Sequence, residues 1–186
     1  MAKTFISLGS NIKNRYINLT SAIKEINYNV GKVLKISDIW ETQSWNYNDK
    51  DYLNTVIEIE TEKNPKELLL TCKKIEIKLG RTSKTKIING RAYYTARIID
   101  IDIIFYENII ISTEKLTIPH PHIQNRMFVL KPLLQIAPKL THPILKKSIE
   151  VLTQECVDKG KIKIFKSNFQ NKLLSELKSS TQNTKK

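Results

Sequence analysis

The chain has 186 residues, of which 40% are hydrophobic and 26% charged, and its formal net charge is +13. That length and composition suit one domain with a substantial core and exclude a chain that is disordered throughout. No apolar run is long enough to span a membrane, and Met1–Thr4 leads directly into a strand pattern rather than a signal peptide, so a cytoplasmic protein without membrane contact is expected.

Cys72 and Cys156 have no metal-ligand spacing and do not make a disulfide framework. A basic chain invites a nucleic-acid reading, but the excess is unevenly placed. Residues 159–186 hold eight lysines against the single acid Glu176. The rest of the excess serves an anionic small molecule equally well. Arginine is scarce, occurring only at Arg15, Arg81, Arg91, Arg97 and Arg126. A chain that otherwise spells positive charge as lysine keeps arginine where bidentate phosphate geometry matters.

Taken in order, Lys3–Leu8 reads as a strand ending at Gly9-Ser10-Asn11, where Ser or Asn can cap the next element. Leu19, Ala22, Ile23 and Ile26 fall at helical spacing, giving a helix over 15–27. Val33–Trp40 reads as a second strand, and the polar loop 41–51 carries Trp45 and Tyr47, aromatics able to stack on a flat ligand or pack on their own domain. Leu53–Glu60 alternates as a half-buried third strand.

Asn64-Pro65 is a helix start, with Leu68, Leu69, Cys72, Ile75 and Leu79 as the buried stripe. Glu76 lies on that stripe. It either faces water at the helix edge, which periodicity favours, or is aimed at a ligand. Gly80-Arg81 closes the helix. Residues 82–96 form a long polar loop with Lys84, Lys86 and Arg91, suited to a phosphate lid.

The strand 97–106 is the stretch around which the chain is organised. Asp100 and Asp102 are two apart, so a strand projects both carboxylates from one face, amid otherwise apolar Ile98, Ile104 and Tyr106. Two such acids either lie on a solvated edge or share a hard divalent cation, for which Mg²⁺ is best suited. Residues 109–112 read as a short returning strand. The prolines of Ile118-Pro119-His120-Pro121-His122 fix an extended loop, and helices are expected over 128–136 and 149–157. Beyond Phe169 the polar composition predicts fraying. The order strand–helix–strand, twice, predicts an α+β ferredoxin-like (split βαβ) antiparallel sheet with helices on one face. One domain is expected over 1–158, with a basic, partly disordered extension over 159–186.

Several stretches carry a resemblance when read together. They are Gly9-Ser10-Asn11, Asp51-Tyr52-Leu53-Asn54, Ile75-Glu76, Gly80-Arg81, Arg97-Ile98-Ile99-Asp100-Ile101-Asp102, Leu116-Thr117-Ile118-Pro119-His120, Asn125-Arg126-Met127-Phe128 and Pro132-Leu133 with Ile136-Ala137-Pro138. In this order they resemble the 6-hydroxymethyl-7,8-dihydropterin pyrophosphokinase family of folate biosynthesis, over about residues 4–143. The resemblance implies transfer of pyrophosphate from ATP to the pterin hydroxymethyl group, with AMP released. It implies two Mg²⁺ ions on Asp100 and Asp102, and catalytic roles for those acids with Arg81 and Arg97. It places Lys73, Glu76, Arg97, Ile103, Lys115, Thr117, His120 and Arg126 around ATP. It stacks the pterin between Tyr52 and Phe128, with Thr42, Gln43, Trp45 and Asn54 around the ring.

The chain departs from the family pattern at Gln43-Ser44, where a Thr-x-Pro ending is familiar, at Lys73 for Gln, at Lys115 for Arg, and at Thr95-Ala96 before Arg97. The expected partners are small-molecule substrates acting on a monomer. An RNA-binding module of the same fold is disfavoured, since no Lys/Arg-Gly-Phe/Tyr strand occurs and the acid pair would repel phosphates. A Mg²⁺-dependent phosphotransferase with another acceptor is the remaining alternative, to be separated by Asn54→Ala.

Overall fold

A computed structural model describes residues 1–43, 50–81, 86–88, 91–93, 97–166 and 168–182, without the side chains of 86–93 and 180–182. The expectations for Trp45, Tyr47 and Lys84, and for the side chains of Lys86 and Arg91, lie outside the described residues.

The strands are Ala2–Ser10 (β1), Lys32–Ile36 (β2), Ile39–Thr42 (β3), Tyr52–Thr61 (β4), Lys86–Ile88 (β5), Arg91–Tyr93 (β6), Asp100–Tyr106 (β7), Ile111–Ser112 (β8), Thr117–Ile118 (β9) and Ile162–Lys166 (β10). The helices are Arg15–Asn29 (α1), Pro65–Lys78 (α2), Met127–Ile136 (α3), Ile149–Glu155 (α4) and Phe169–Gln182 (α5). The main sheet runs β10-β3-β4-β1-β7, with β2 also on β4, and its ladders are antiparallel. Counting β2 and β3 together, the strands of the two strand–helix–strand halves lie second, third, first, fourth. The halves therefore interleave, as the split βαβ plan requires.

Local chemistry sets the element ends. Asn64 caps α2 through a reciprocal capping box with Glu67, and Pro65 occupies the first helical turn. Gly80, at φ +98°, supplies the left-handed turn that ends α2 and hands the chain to Arg81. Asn14, rather than Ser10 or Asn11, caps α1 by accepting from the Ile17 N–H.

Five sequence expectations need correction. First, helices cover both faces of the sheet. Ile6, Leu8, Ile57, Leu68, Cys72 and Ile101 pack under α1, α2 and α5, whereas Phe5, Val56, Phe105, Leu130 and Leu133 form a second core under α3 and α4. β4 is consequently buried on both faces along most of its length. Second, the strand expected over 33–40 breaks at Ser37-Asp38, because Ser37 turns its own side chain to Val56 N–H and Thr55 Oγ1. Third, the polar loop 82–96 contains the β5–β6 hairpin.

Fourth, β7 begins at Asp100, not Arg97. Asn11 Oδ1 accepts from Arg97 N–H at 2.7 Å, and Asn11 N–H donates to Arg97 C=O, which holds residue 97 off the ladder. Residues 111–112 in turn pair with β9. Fifth, the tail is ordered well past Phe169. β10 joins the sheet beside β3, and Phe169, Leu173 and Leu177 of α5 are buried in the first core. Those three apolar residues at i, i+4 and i+8 are a helical stripe that the surrounding Lys, Ser, Gln and Asn conceal.

Candidate active site

Gly9 on β1 lies in register between Asn54 on β4 and Asp100 on the edge strand β7. This row of the sheet holds an amide on one side and a carboxylate on the other. Asp102 stands two ladder positions on, opposite Ser7. The two acids share the sheet face that carries α3 and α4, beyond the end of that packed core.

Asp100 is held by two arginines. Arg81 Nη1 donates to Oδ1 at 2.7 Å and Arg97 Nη1 to Oδ2 at 2.5 Å. Arg81 also pairs with Glu76, and Glu76 Oε1 accepts the Ile101 N–H at 2.9 Å. An edge strand leaves such N–H groups free, so a carboxylate on the adjacent helix is in demand there. Glu76 is therefore buried and turned into the cluster, not placed at a solvated helix edge. Burial pushes its carboxyl up, against the pull of Arg81 and the Ile101 N–H. Burial works against the Arg97 charge, but Asp100 beside it outweighs this and raises its pKa.

Asp102 is pushed up to about 7, by burial first and then by Asp100, with Arg126 pulling the other way. Among the described residues its carboxylate forms no hydrogen bond or ion pair. A half-buried carboxylate in that state, next to a second one, fits a hard divalent cation. Among the described residues no group of three or more His, Cys, Asp or Glu side chains stands ready to hold a metal. The pair suits an ion that completes its shell with substrate oxygens and water, as Mg²⁺ does.

Around this centre, His120 follows the Ile118-Pro119 bond and donates its N–H to Ile104 C=O at 3.0 Å. Its pKa falls to about 4, through burial and then Arg126, and its Nδ1 is buried with no partner among the described residues. Arg126 lies over the Phe128 ring at 5.8 Å. Thr117 is on β9. Lys73 and Lys115 are exposed and make no bond to the cluster among the described residues. The Ile103 side chain is in the core, which leaves only its backbone for a ligand.

The other end of the row is polar. Asn54 is buried and donates from Nδ2 to Thr42 Oγ1 at 2.8 Å. Half-buried Tyr52 begins β4, and half-buried Phe128 is the second residue of α3. A cavity of about 250 Å³ is lined by Thr42, Gln43, Met127 and Phe128, and also by Asp158, Gly160, Lys161 and Ile162. Sequence pattern does not single out the last four. A lone Asp in a basic stretch carries no pattern, and only the pairing of β10 with β3 brings it here.

The family model for 7,8-dihydro-6-hydroxymethylpterin-pyrophosphokinase matches residues 5–138. The chain is 35% identical over 156 residues to a 2-amino-4-hydroxy-6-hydroxymethyldihydropteridine pyrophosphokinase of Aquifex aeolicus, covering 83% of this chain and 92% of that one. It is 37% identical over 170 residues to folic acid synthesis protein fol1 of Schizosaccharomyces pombe, covering 90% of this chain but only 22% of that one. A crystal structure of Plasmodium falciparum HPPK-DHPS matches with a TM-score of 0.68 and 16% identity, over 83% of this chain and 43% of that one. At that identity the likeness speaks for the fold, which is the α+β arrangement described above.

Proposed function

The chain belongs to the 7,8-dihydro-6-hydroxymethylpterin-pyrophosphokinase family and is a pyrophosphokinase of folate biosynthesis; from that premise we propose that its donor is ATP and its acceptor 6-hydroxymethyl-7,8-dihydropterin. The hydroxymethyl oxygen attacks the β-phosphorus, the bond from that phosphorus to the α,β-bridging oxygen breaks, AMP leaves, and the hydroxyl proton passes to solvent. The observation that carries the reading is the row Asn54–Gly9–Asp100. It sets an amide for a flat polar ring beside a pair of carboxylates flanked by arginines.

In this reading Asn54 and Thr42 hydrogen-bond the pterin edge, and Tyr52 and Phe128 stack its faces. A ring lacking matching polar groups leaves Asn54 unpaired and is rejected. Asp100 and Asp102 would hold the two Mg²⁺ ions, whose positive charge would offset that of the triphosphate. Arg81 and Arg97 position the phosphates by charge and by their fork geometry. Glu76 keeps Arg81 in place. His120 is neutral at physiological pH and offers its ring nitrogens to the nucleotide rather than a charge. The catalytic unit runs past residue 158, since Gly160, Lys161 and Ile162 line the acceptor pocket and β10 completes the sheet beside Thr42.

The test is AMP release from ATP and Mg²⁺ with and without the pterin. Pterin-dependent AMP with no ADP is expected. ADP as product, or no AMP from folded protein that binds ATP, would overturn the reading.

A further inference from the structure

Phe128 and the strand that carries Thr42 are joined by one residue outside the stretch that resembles the family. Asp158 Oδ2 accepts from the Met127 N–H at 3.1 Å, and its Oδ1 accepts from the Gly160 N–H at 2.9 Å. The first of these N–H groups opens α3. An opening N–H has no partner within its own helix, and Arg126, the residue at the cap position, supplies no side-chain bond. Asp158 provides the cap from a distant segment, with a carboxylate that also suits the positive end of the helix dipole. The second N–H begins the turn into β10. From there Lys161 C=O accepts from the Gln43 N–H at 3.3 Å, Ile162 pairs with Thr42, and Lys163 pairs with Glu41 at 3.1 Å. One carboxylate thus fixes both the helix turn that presents Phe128 and the strand edge that presents Thr42 and Gln43, across the 250 Å³ cavity that all of them line.

We propose that Asp158 is a positioning residue for the acceptor pocket, setting the distance between Phe128 and the Thr42–Gln43 edge; this rests on the reading of that pocket as the pterin site. It bonds neither the acid pair nor Arg81 or Arg97 among the described residues, so its removal acts first on acceptor binding and far less on the nucleotide.

The experiment measures dissociation constants for 6-hydroxymethyl-7,8-dihydropterin and, separately, for α,β-methylene-ATP with Mg²⁺. The full chain is compared with Asp158→Ala and Asp158→Asn. The analogue is chosen because the bond that breaks in transfer is the one it replaces. Asp158→Ala is expected to weaken pterin binding about tenfold. Asp158→Asn, whose amide keeps one accepting oxygen, weakens it about threefold, and the analogue's constant stays within twofold in both. General destabilisation lowers the fraction of protein that binds and leaves this split between ligands unmoved, and Asp158→Asn keeps the size and one bond of the original side chain. Pterin constants within twofold of the unaltered chain in both variants, or equal losses for both ligands, overturn the inference alone. No pterin binding by the unaltered chain overturns the acceptor assignment and the inference with it.

Discussion

Gly9→Ala probes the gap between the amide and the acid pair. Gly9 sits in extended strand, so the alanine backbone is unstrained. The difficulty is its Cβ, which would lie 3.0 Å from Asn54 Oδ1 and 3.8 Å from the Tyr52 ring. Ordinary contact starts at 3.4 Å, so the Asn54 amide must move by a few tenths of an ångström. It is not free to do so, because its Nδ2 is held by Thr42 Oγ1 at 2.8 Å. The shift weakens that bond and misaims the oxygen proposed to meet the pterin, together about 1–2 kcal/mol, or roughly 5- to 30-fold in pterin KM. Steady-state AMP release at saturating ATP and varied pterin reads this directly. ATP KM should stay within about twofold. Thermal stability should hold, since alanine also restricts the unfolded chain by about 0.4–1 kcal/mol. An unchanged pterin KM, or an equal rise in both KM values, would refute the geometry argued for the row.

Asp100→Ala and Asp102→Ala should each lower turnover by about a hundredfold or more while moving the pterin dissociation constant by less than about threefold, and near-normal turnover in both would remove the acids from the chemistry. Leu173→Ala should lower stability to urea by about 2–4 kcal/mol, because Leu173 is buried in the first core; an unaltered midpoint would mean that α5 does not pack there. His120, with a folded pKa of about 4, makes stability fall as pH drops from about 6.5 to 4, since over that window the unfolded chain binds a proton that the folded chain refuses. His142, lowered by burial, acts in the same direction, so His120→Gln should reduce the loss in urea midpoint between pH 7 and 5 without abolishing it. Equal losses in both proteins would contradict a buried, neutral His120.

The parts of the site legible in the sequence are those written in short-range periods. Asp100 and Asp102 declare themselves because a strand repeats every two residues, and the start of α2 because Asn64-Pro65 is a local helix-start signal. Glu76 cannot be read from helix periodicity. Its orientation is decided by an unpaired N–H on Ile101, 25 residues away, which exists only because β7 is an edge. The second core is hidden because Val56 and Phe105 sit among alternating partners that one covered face explains equally well. Asp158 and α5 are hidden for a related reason. Each matters through contacts with segments more than 30 residues distant, and local composition there is dominated by lysine and small polar residues.

The double hold on Asp100 has a consequence for how a polyanion is received. The Arg81 and Arg97 guanidiniums, assigned to phosphate in the proposed function, are already occupied by carboxylates of the same chain. If, as proposed, these arginines receive the nucleotide's phosphates, its arrival is a change of partners rather than the filling of an open positive well. The opposing charges balance before and after, so little is gained from attraction alone, and any loose anion that cannot match the forks of Arg81 and Arg97 wins nothing by displacing Asp100. Selection rests on shape and direction. The broad pull that brings an anion near must come from lysines elsewhere on a surface of net charge +13, and that part alone should fade as salt is added.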